Sequence, residues 1–171
     1  SPEVLAALAV ARDAAGDRDP PGCVTPSIDP PGLFRVLVEE GVDFLLIGGA
    51  AVAAHGGFLF KHTGDGVCAA FTSPASAVDA AITAQRGLEL PVRMGIATGE
   101  AELRGNDYFG TVLNRVARVM AAGHGGQVLI ADSTARLVSG VELLDLGRHH
   151  LRDVTDPLGV LRLVHRTTSL R

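Results

Sequence analysis

The sequence contains few aromatic residues and neither a leader nor a membrane-spanning run. Aromatic side chains account for 4% of the 171 residues and tryptophan does not occur, so the core must be built mainly from small aliphatic side chains. The first residues, SPEVLAALAVARDAAGDRDPP, include neither the basic leader of a signal peptide nor the roughly 20 apolar residues of a membrane-spanning helix. We therefore expect a cytoplasmic protein without a membrane partner.

An excess of basic residues is also missing, and cysteine is scarce. The net charge is −4 and 47% of the residues are hydrophobic, which is typical of a globular protein without an electrostatic footprint for nucleic acid. The two cysteines, Cys23 and Cys68, match neither a zinc nor a redox spacing, and the six histidines show no metal-ligand spacing. Cys68 lies in an apolar run and is expected to be a buried thiol.

The N-terminal third of the chain changes character several times. Residues 2–15 carry apolar side chains at helical spacing, which predicts a helix. Residues 16–32 hold five of the nine prolines and three glycines, and we expect them to form a linker. Residues 33–40 predict a short helix, 42–47 a buried strand, and 50–54 a helix of small residues.

From residue 58 onward the patterns predict one continuous domain. An Asp-Gly pair between two apolar runs is the strongest hairpin signal of the chain. Ser73 is the predicted N-cap of a helix, with Pro74 at the first helical position. The predicted strands span residues 58–61, 67–71, 92–98, 128–131, 141–147 and 158–164, and the predicted helices span 73–88, 111–122 and 132–138, with a loop over 106–110. This order predicts an α+β fold with a mostly antiparallel sheet and packed helices.

Two groups of polar residues are poorly explained by packing. Asp65 lies on a glycine-flanked hairpin tip, where another group can approach closely, although an Asp-Gly pair can also simply make the turn. Asn114 and Arg118 are four residues apart and share one face of a predicted helix, outside its valine stripe. A solvated surface pair is the alternative interpretation of this second group.

Taken together, these motifs resemble a known family. The patterns K-x-x-G-D-G, M-G-I-A-T-G-E, D-x-x-G-x-x-x-N-x-x-x-R, G-G-Q-V-L-I-A-D-S-T and L-G-R-H-H-L-R-D-V follow one another over residues 58–165. In order and spacing they resemble class III adenylate/guanylate cyclase catalytic domains. The resemblance implies a ferredoxin-like nucleotide cyclase fold, and it implies an adenylate cyclase that converts ATP to cyclic AMP and pyrophosphate in intracellular signalling.

The resemblance also implies roles for single residues. Asp65 matches a metal-binding aspartate, which implies Mg²⁺ or Mn²⁺ as the cofactor. Lys61 and Asp107 match the pair that reads the adenine edge, and such a pair favours ATP over GTP.

Two further residues and one looser match complete this set. Asn114 matches the residue that orients the ribose, and Arg118 matches the arginine that stabilises charge on the phosphates. Arg152 falls near the family's terminal phosphate-contacting lysine. In this family the site lies between two domains, which implies a homodimer with composite active sites, within a protein that can carry regulatory domains.

One element of the family pattern is not found where we expect it. The first metal aspartate of the family follows a strand in an F-x-D-I-x-G-S/F-T motif. The apolar run 42–47 would place this position on Gly48, and Asp43 lies at the wrong end of the run. We therefore expect an N-terminally incomplete cyclase domain with half of its metal site.

Residues 33–57 instead weakly resemble the opening helix, strand and Gly-Gly helix of polymerase-beta-type nucleotidyltransferases. The expected organisation is a helix and linker over 1–32, this segment over 33–57, the cyclase domain over 58–165 and a tail over 166–171. Two other functions stay open beside an adenylate cyclase. One is a catalytically inactive, cyclase-like module that binds nucleotide, and the other is a nucleotidyltransferase, which would need an aspartate pair.

Overall fold

The computed structural model describes residues 3–12, 50–63, 66–88 and 91–164. In this part of the chain the strands are β1 (Glu3–Arg12), β2 (Phe58–Thr63), β3 (Gly66–Phe71), β4 (Val92–Arg104), β5 (Asp107–Phe109), β6 (Val128–Ala131), β7 (Glu142–His149) and β8 (Leu158–Val164). The helices are α1 (Pro74–Gly87), α2 (Thr111–Ala121) and α3 (Asp132–Ala135), and residues 50–54 are helical as well.

The strands form one sheet in the order β2-β3-β1-β4-β6-β8-β7, and β5 pairs with the far end of β4. The contact between β4 and β6 is parallel, and the other strand pairs are antiparallel. The sheet therefore confirms the predicted α+β class with a mostly antiparallel sheet.

The helix predicted over residues 2–15 is wrong, because residues 3–12 form the central strand β1. This strand pairs with β3 on one edge and with β4 on the other, so that Ala6 lies opposite both Phe71 and Thr98. A strand that is buried on both faces shows no alternation of polar and apolar residues. The run is also rich in alanine, the strongest helix former, so its local preference and its place in the sheet disagree.

The two faces of the sheet carry separate cores. Alternate residues of β1 divide between them, because successive side chains of a strand point to opposite faces. The core on the α1 side includes Ala6, Leu8, Val67, Phe71, Val78, Met94, Ile96 and Ile130. The core on the α2 side includes Ala7, Ala9, Phe60, Ala97, Tyr108, Val112, Val116, Val119 and Leu129. The small side chains of β1 let both layers of helices lie close to the sheet.

The structure confirms several local predictions. The Ser73 hydroxyl accepts a hydrogen bond from the backbone N–H of Ser76 at 3.5 Å, and Pro74 begins helix α1. Strands β2 and β3 form the predicted hairpin. The valine stripe of α2 is buried, as predicted, and residues 50–54 are helical.

The structure of β4 and β5 differs from the predicted strand over 92–98 and the predicted loop over 106–110. The chain does not turn at Gly99, since β4 continues to Arg104, and residues 107–109 form β5 instead of a loop. A Cβ atom at Gly99 would lie 3.1 Å from Val112, and one at Gly95 would lie 2.6 Å from the backbone nitrogen of Met120. These glycines therefore let helix α2 approach the strand, which is a packing role and not a turn.

The remaining predictions for the N-terminal third lie outside the described residues. They are the linker over 16–32, the helix over 33–40, the strand over 42–47 and the part of the nucleotidyltransferase-like segment that precedes residue 50. The helix predicted over 132–138 is present but ends at Ala135. Among the helices that the structure describes, none is long and apolar enough to cross a bilayer.

His62 lies on β2, directly opposite Val67 in the hairpin. Its Nε2 atom is buried and, within the part of the chain that the structure describes, has no hydrogen-bond partner. Burial lowers the pKa of His62 because it disfavours the charged imidazolium. His62 therefore binds a proton less readily in the folded protein than in the unfolded chain. Its contribution to folding stability is fully present above the unfolded pKa and is lost as the pH falls from that value through the lower folded pKa.

The first prediction tests β1. Leu8 is 1% exposed, and Leu8→Ala is expected to lower the free energy of unfolding by about 2–5 kcal/mol, because it leaves a cavity in the centre of the sheet. The matched control is Leu137→Ala at a leucine that is 60% exposed, where we expect a loss below about 0.5 kcal/mol. Urea unfolding measures both. Equal losses in the two variants would contradict a central β1.

The second prediction concerns the titration of His62. Its imidazole should titrate with a midpoint below about 6.5 in the folded protein and at about 6.5 in the urea-unfolded chain. NMR of the ring protons measures both midpoints, and His62→Gln identifies the signal. The loss of thermal stability on lowering the pH from about 7.5 to about 5.5 should be smaller in His62→Gln than in the unchanged protein. A folded midpoint at or above the unfolded one would contradict the burial of the ring.

Candidate functional site

Lys61 and Asp107 form an ion pair, with Nζ and Oδ2 3.8 Å apart. Their side chains are 44% and 37% exposed, respectively, so the pair lies at the surface in contact with solvent. An ion pair of this exposure is weak and exchanges readily for a ligand that offers matching groups. Lys61 is the only lysine in the sequence. The structure therefore brings together two residues that are far apart in the chain and that the sequence assigned to one task.

Aromatic packing holds this pair in place. The rings of Phe60 and Tyr108, which adjoin Lys61 and Asp107 in the sequence, meet edge to face with centroids 5.2 Å apart. Phe58 adds a second edge contact to Tyr108 at 6.4 Å. Asp107 itself is oriented by its own strand, since Oδ1 accepts a hydrogen bond from the backbone N–H of Tyr108 at 2.9 Å. Strand β5 thus docks on β2 through apolar contacts, and its carboxylate lies beside the lysine as a result.

Helix α2 presents the second group of predicted residues. Its valines pack against the sheet, and this fixes which side of the helix faces outward. Asn114 is exposed and Arg118 is half-buried, one turn further along the same face. The predicted placement of both residues outside the apolar stripe is therefore confirmed.

The loop between β7 and β8 brings Arg152 to Arg118. The carboxylate oxygen Oδ2 of Asp153 accepts a hydrogen bond from Nη2 of Arg118 at 2.5 Å. Nε of Arg152 lies 3.7 Å from the same oxygen. The two predicted phosphate contacts are thus neighbours, and Asp153, which the sequence did not single out, lies between them. Among the described residues, no ion pair or hydrogen bond joins this group to Lys61 and Asp107.

The predicted metal ligand Asp65 lies outside the described residues. Its neighbour Gly66 pairs with Ala11, close to the end of β1. Because β1 is a strand, the missing aspartate motif has to be sought after residue 12 and not after residue 47. Asp13 comes next, and its distance from Gly16 repeats the Asp-x-x-Gly spacing of the motif. A predicted helix over 2–15 gives this spacing no significance, whereas a strand over 3–12 makes Asp13 a candidate for the first metal aspartate.

The described residues by themselves contain no group of three potential metal ligands. Cys68, which lies opposite Lys61 in the hairpin, is half-buried and not fully buried as predicted. Burial raises the pKa of this thiol, while the charge of Lys61 opposes the rise. Cys68 is therefore a protonated neighbour of the ion pair at neutral pH.

Sequence relatives cover most of the domain. The chain is 40% identical over 124 residues to an uncharacterised protein of Mycobacterium tuberculosis, covering 67% of this chain and 44% of that protein. It is 31% identical over 123 residues to the putative adenylate cyclase 3 of Rhizobium meliloti, covering 64% of this chain and 21% of that protein. The chain thus spans less than half the length of these relatives. No family model matches it.

Solved structures match the fold. The adenylyl cyclase CyaB from P. aeruginosa superposes with a TM-score of 0.73 over 100% of this chain and 98% of that chain, at 19% identity. An adenylate cyclase of Trypanosoma brucei matches with a TM-score of 0.73, 18% identity and coverage of 94% and 88%. The chain therefore has the fold of class III adenylate/guanylate cyclase domains.

Proposed function

We propose that this domain is an adenylate cyclase, which converts ATP to cyclic AMP and pyrophosphate within an intracellular signalling protein. The observation that carries the proposal is the Lys61–Asp107 pair, which lies beside a cyclase sheet whose helix α2 presents Asn114 and Arg118 outward. In this reaction the ribose 3′-hydroxyl attacks the α-phosphorus, its proton leaves, and the bond to pyrophosphate breaks. Such a site has to read a base, orient a ribose and stabilise charge on phosphate.

Lys61 and Asp107 are proposed to bind the adenine base. The Watson–Crick edge of adenine offers a ring nitrogen that accepts a hydrogen bond and an amino group that donates one. A lysine donates and a carboxylate accepts, so the pair complements both atoms. Because the pair is partly exposed and 3.8 Å apart, either side chain can turn to a ligand without leaving a buried charge unpaired.

Residues of helix α2 and of the β7–β8 loop are proposed to bind the ribose and the phosphates. Asn114 can accept and donate through its amide, which suits a ribose ring with its oxygen and hydroxyl groups. Arg118 offers a planar, permanently charged fork to phosphate oxygens, and Arg152 lies beside it. These cations stabilise the negative charge that grows on the phosphates as the bond to pyrophosphate breaks.

Two aspartates that adjoin described strands in the sequence are proposed to bind the metal. We propose Asp65 and Asp13 as ligands of Mg²⁺ or Mn²⁺, since carboxylate oxygens are the donors that these ions prefer. Support comes from the pairing of Gly66 with Ala11, which brings the chain next to Asp65 close to the end of the strand that precedes Asp13. When bound, such an ion polarises phosphate oxygens and lowers the pKa of the attacking hydroxyl.

The complete site is proposed to form between two copies of the chain. In one copy no ion pair or hydrogen bond of the described residues links the base-reading pair to the arginine pair. We propose that a partner copy supplies the other half of each site. Phe58 and Phe109 are large apolar side chains that flank the base-reading pair and are about half exposed. Contact between copies would remove this apolar surface from water, which favours association.

The third prediction tests catalysis. With ATP and Mg²⁺ or Mn²⁺ the protein should form cyclic AMP, and Arg118→Ala should lower kcat by about 10²–10³-fold because it removes a charged donor from the transition state. Asp65→Ala should lose product formation as well. Arg115→Ala, on the same helix but one turn before the proposed site residue, is the matched control and should keep most of the activity.

Two outcomes would contradict this assignment. Equal rates in Arg118→Ala and Arg115→Ala would remove Arg118 from the reaction. Binding of ATP by the unchanged protein without any cyclic AMP would establish the catalytically inactive, nucleotide-binding module in place of the cyclase.

The fourth prediction tests the base and does not depend on turnover. Since Lys61 is the only lysine, an amine-reactive reagent can label one side chain, which mass spectrometry separates from the N-terminal amine. ATP should protect Lys61 from labelling at a lower concentration than GTP. Asp107→Ala should weaken this protection by ATP, while Asp79→Ala, on an exposed position of helix α1, should leave it unchanged. Stronger protection by GTP would contradict the assignment of ATP.

A further inference from the structure

Asp153 occupies the position between the two arginines that are proposed to bind phosphate. One of its oxygens, Oδ2, meets Nη2 of Arg118 at 2.5 Å and Nε of Arg152 at 3.7 Å. A phosphate oxygen is an anionic acceptor of the same kind, and arginine binds carboxylate and phosphate through the same N–H groups. The carboxylate of Asp153 therefore makes the contacts that a nucleotide phosphate would make.

The backbone at Asp153 is unusual as well. Its φ of +57° is the only positive φ at a non-glycine residue in the part of the chain that the structure describes. Aspartate and asparagine adopt this conformation more readily than most residues, and it persists only where the surroundings fix it. A short turn does so here, in which the N–H of Val154 donates to the carbonyl of Leu151 at 3.1 Å. The loop thus holds the carboxylate toward the arginines.

We propose that Asp153 is an internal counter-ion, which pairs with Arg118 and Arg152 in the ligand-free domain and is displaced when a nucleoside triphosphate binds. The inference rests on the proposed function, because it takes the two arginines as the phosphate contacts. It adds a residue that sets the affinity for the triphosphate without touching the reacting atoms.

Two physical effects act in the same direction. A phosphate that takes Arg118 has to break the hydrogen bond to Asp153, which costs binding free energy. The displaced carboxylate also remains near the phosphates, and like charges at close range repel. The group is exposed, so both effects are modest, and removing the carboxylate should tighten polyphosphate binding by about two- to fivefold.

The fifth prediction tests this with inorganic tripolyphosphate, which has no base or ribose. The full chain is titrated by calorimetry as the unchanged protein, as Asp153→Asn and as Asp156→Asn. Asparagine keeps the side-chain size and tolerates the positive φ, so the fold should persist. Asp156 is an exposed aspartate of the same loop that forms no ion pair with the described residues, so it controls for net charge.

Asp153→Asn is expected to bind tripolyphosphate about two- to fivefold more tightly, and Asp156→Asn to bind as the unchanged protein does. The difference should shrink at high salt, because exposed charges are screened. With ATP, Asp153→Asn should lower KM and leave kcat unchanged. Equal or weaker tripolyphosphate binding by Asp153→Asn would overturn the inference, since an aspartate that merely orients Arg118 would lower the affinity when removed.

Arg118→Ala separates this failure from a failure of the proposed function. If Arg118→Ala loses tripolyphosphate binding while Asp153→Asn leaves it unchanged, the arginine is a phosphate contact and the counter-ion inference alone is wrong. If Arg118→Ala binds as the unchanged protein does, the phosphate assignment itself is wrong, and the inference falls with it. Circular dichroism confirms that each variant is folded before the titrations are compared.

Discussion

The antiparallel ladders on the two edges of β1 hold the two halves of the sheet together. One half is the hairpin of β2 and β3, which carries Lys61, and the other begins with β4, which leads to Asp107 and to helix α2. In the described structure β3 and β4 do not pair with each other, so the backbone hydrogen bonds of β1 set the distance between the halves. The Lys61–Asp107 pair spans this division. Its geometry therefore depends on a strand that contributes neither of its residues.

Small side chains make this arrangement possible. With so few aromatic residues, the core gains less apolar area from each side chain, and it relies on close backbone approach instead. Gly95 and Gly99 let helix α2 lie directly on β4, and the alanines of β1 keep both faces of the central strand thin. Three of the described aromatic residues contact one another near the ion pair. Phe58, Phe60 and Tyr108 lock β5 onto β2 beside the ion pair.

Carboxylates of the protein lie beside the cations of the proposed site. A nucleoside triphosphate is strongly anionic, and this chain also carries a net negative charge of −4. Each cation of the proposed site has a carboxylate partner, Asp107 for Lys61 and Asp153 for the two arginines. Exposed ion pairs are weak, so a ligand with several anionic oxygens can replace them at little cost. The net charge of the chain therefore says little about whether an anionic ligand binds. What matters is how easily the cations of the proposed site exchange their carboxylate partners for the ligand.

The sequence by itself determined the features that depend on neighbouring residues. Ser73 and Pro74 specify a helix start, Asp-Gly specifies a hairpin, and the valine spacing of α2 places Asn114 and Arg118 outside the core. Family motifs likewise assigned roles to residues that the structure then placed in two groups.

Only the tertiary structure decided the rest, because those features depend on partners that are distant in the chain. Residues 3–12 have a helical local preference, and the ladders to β3 and β4 make them a strand instead. Residues 107–109 form a strand because β4 continues past Gly99 to pair with them. Asp153 has no local signal of its role, since its partner Arg118 lies on a helix that precedes it by several elements. A sequence pattern indicates the local structure of neighbouring residues. The order of the strands and the placement of the loops decide which charged residues, distant in the chain, come into contact.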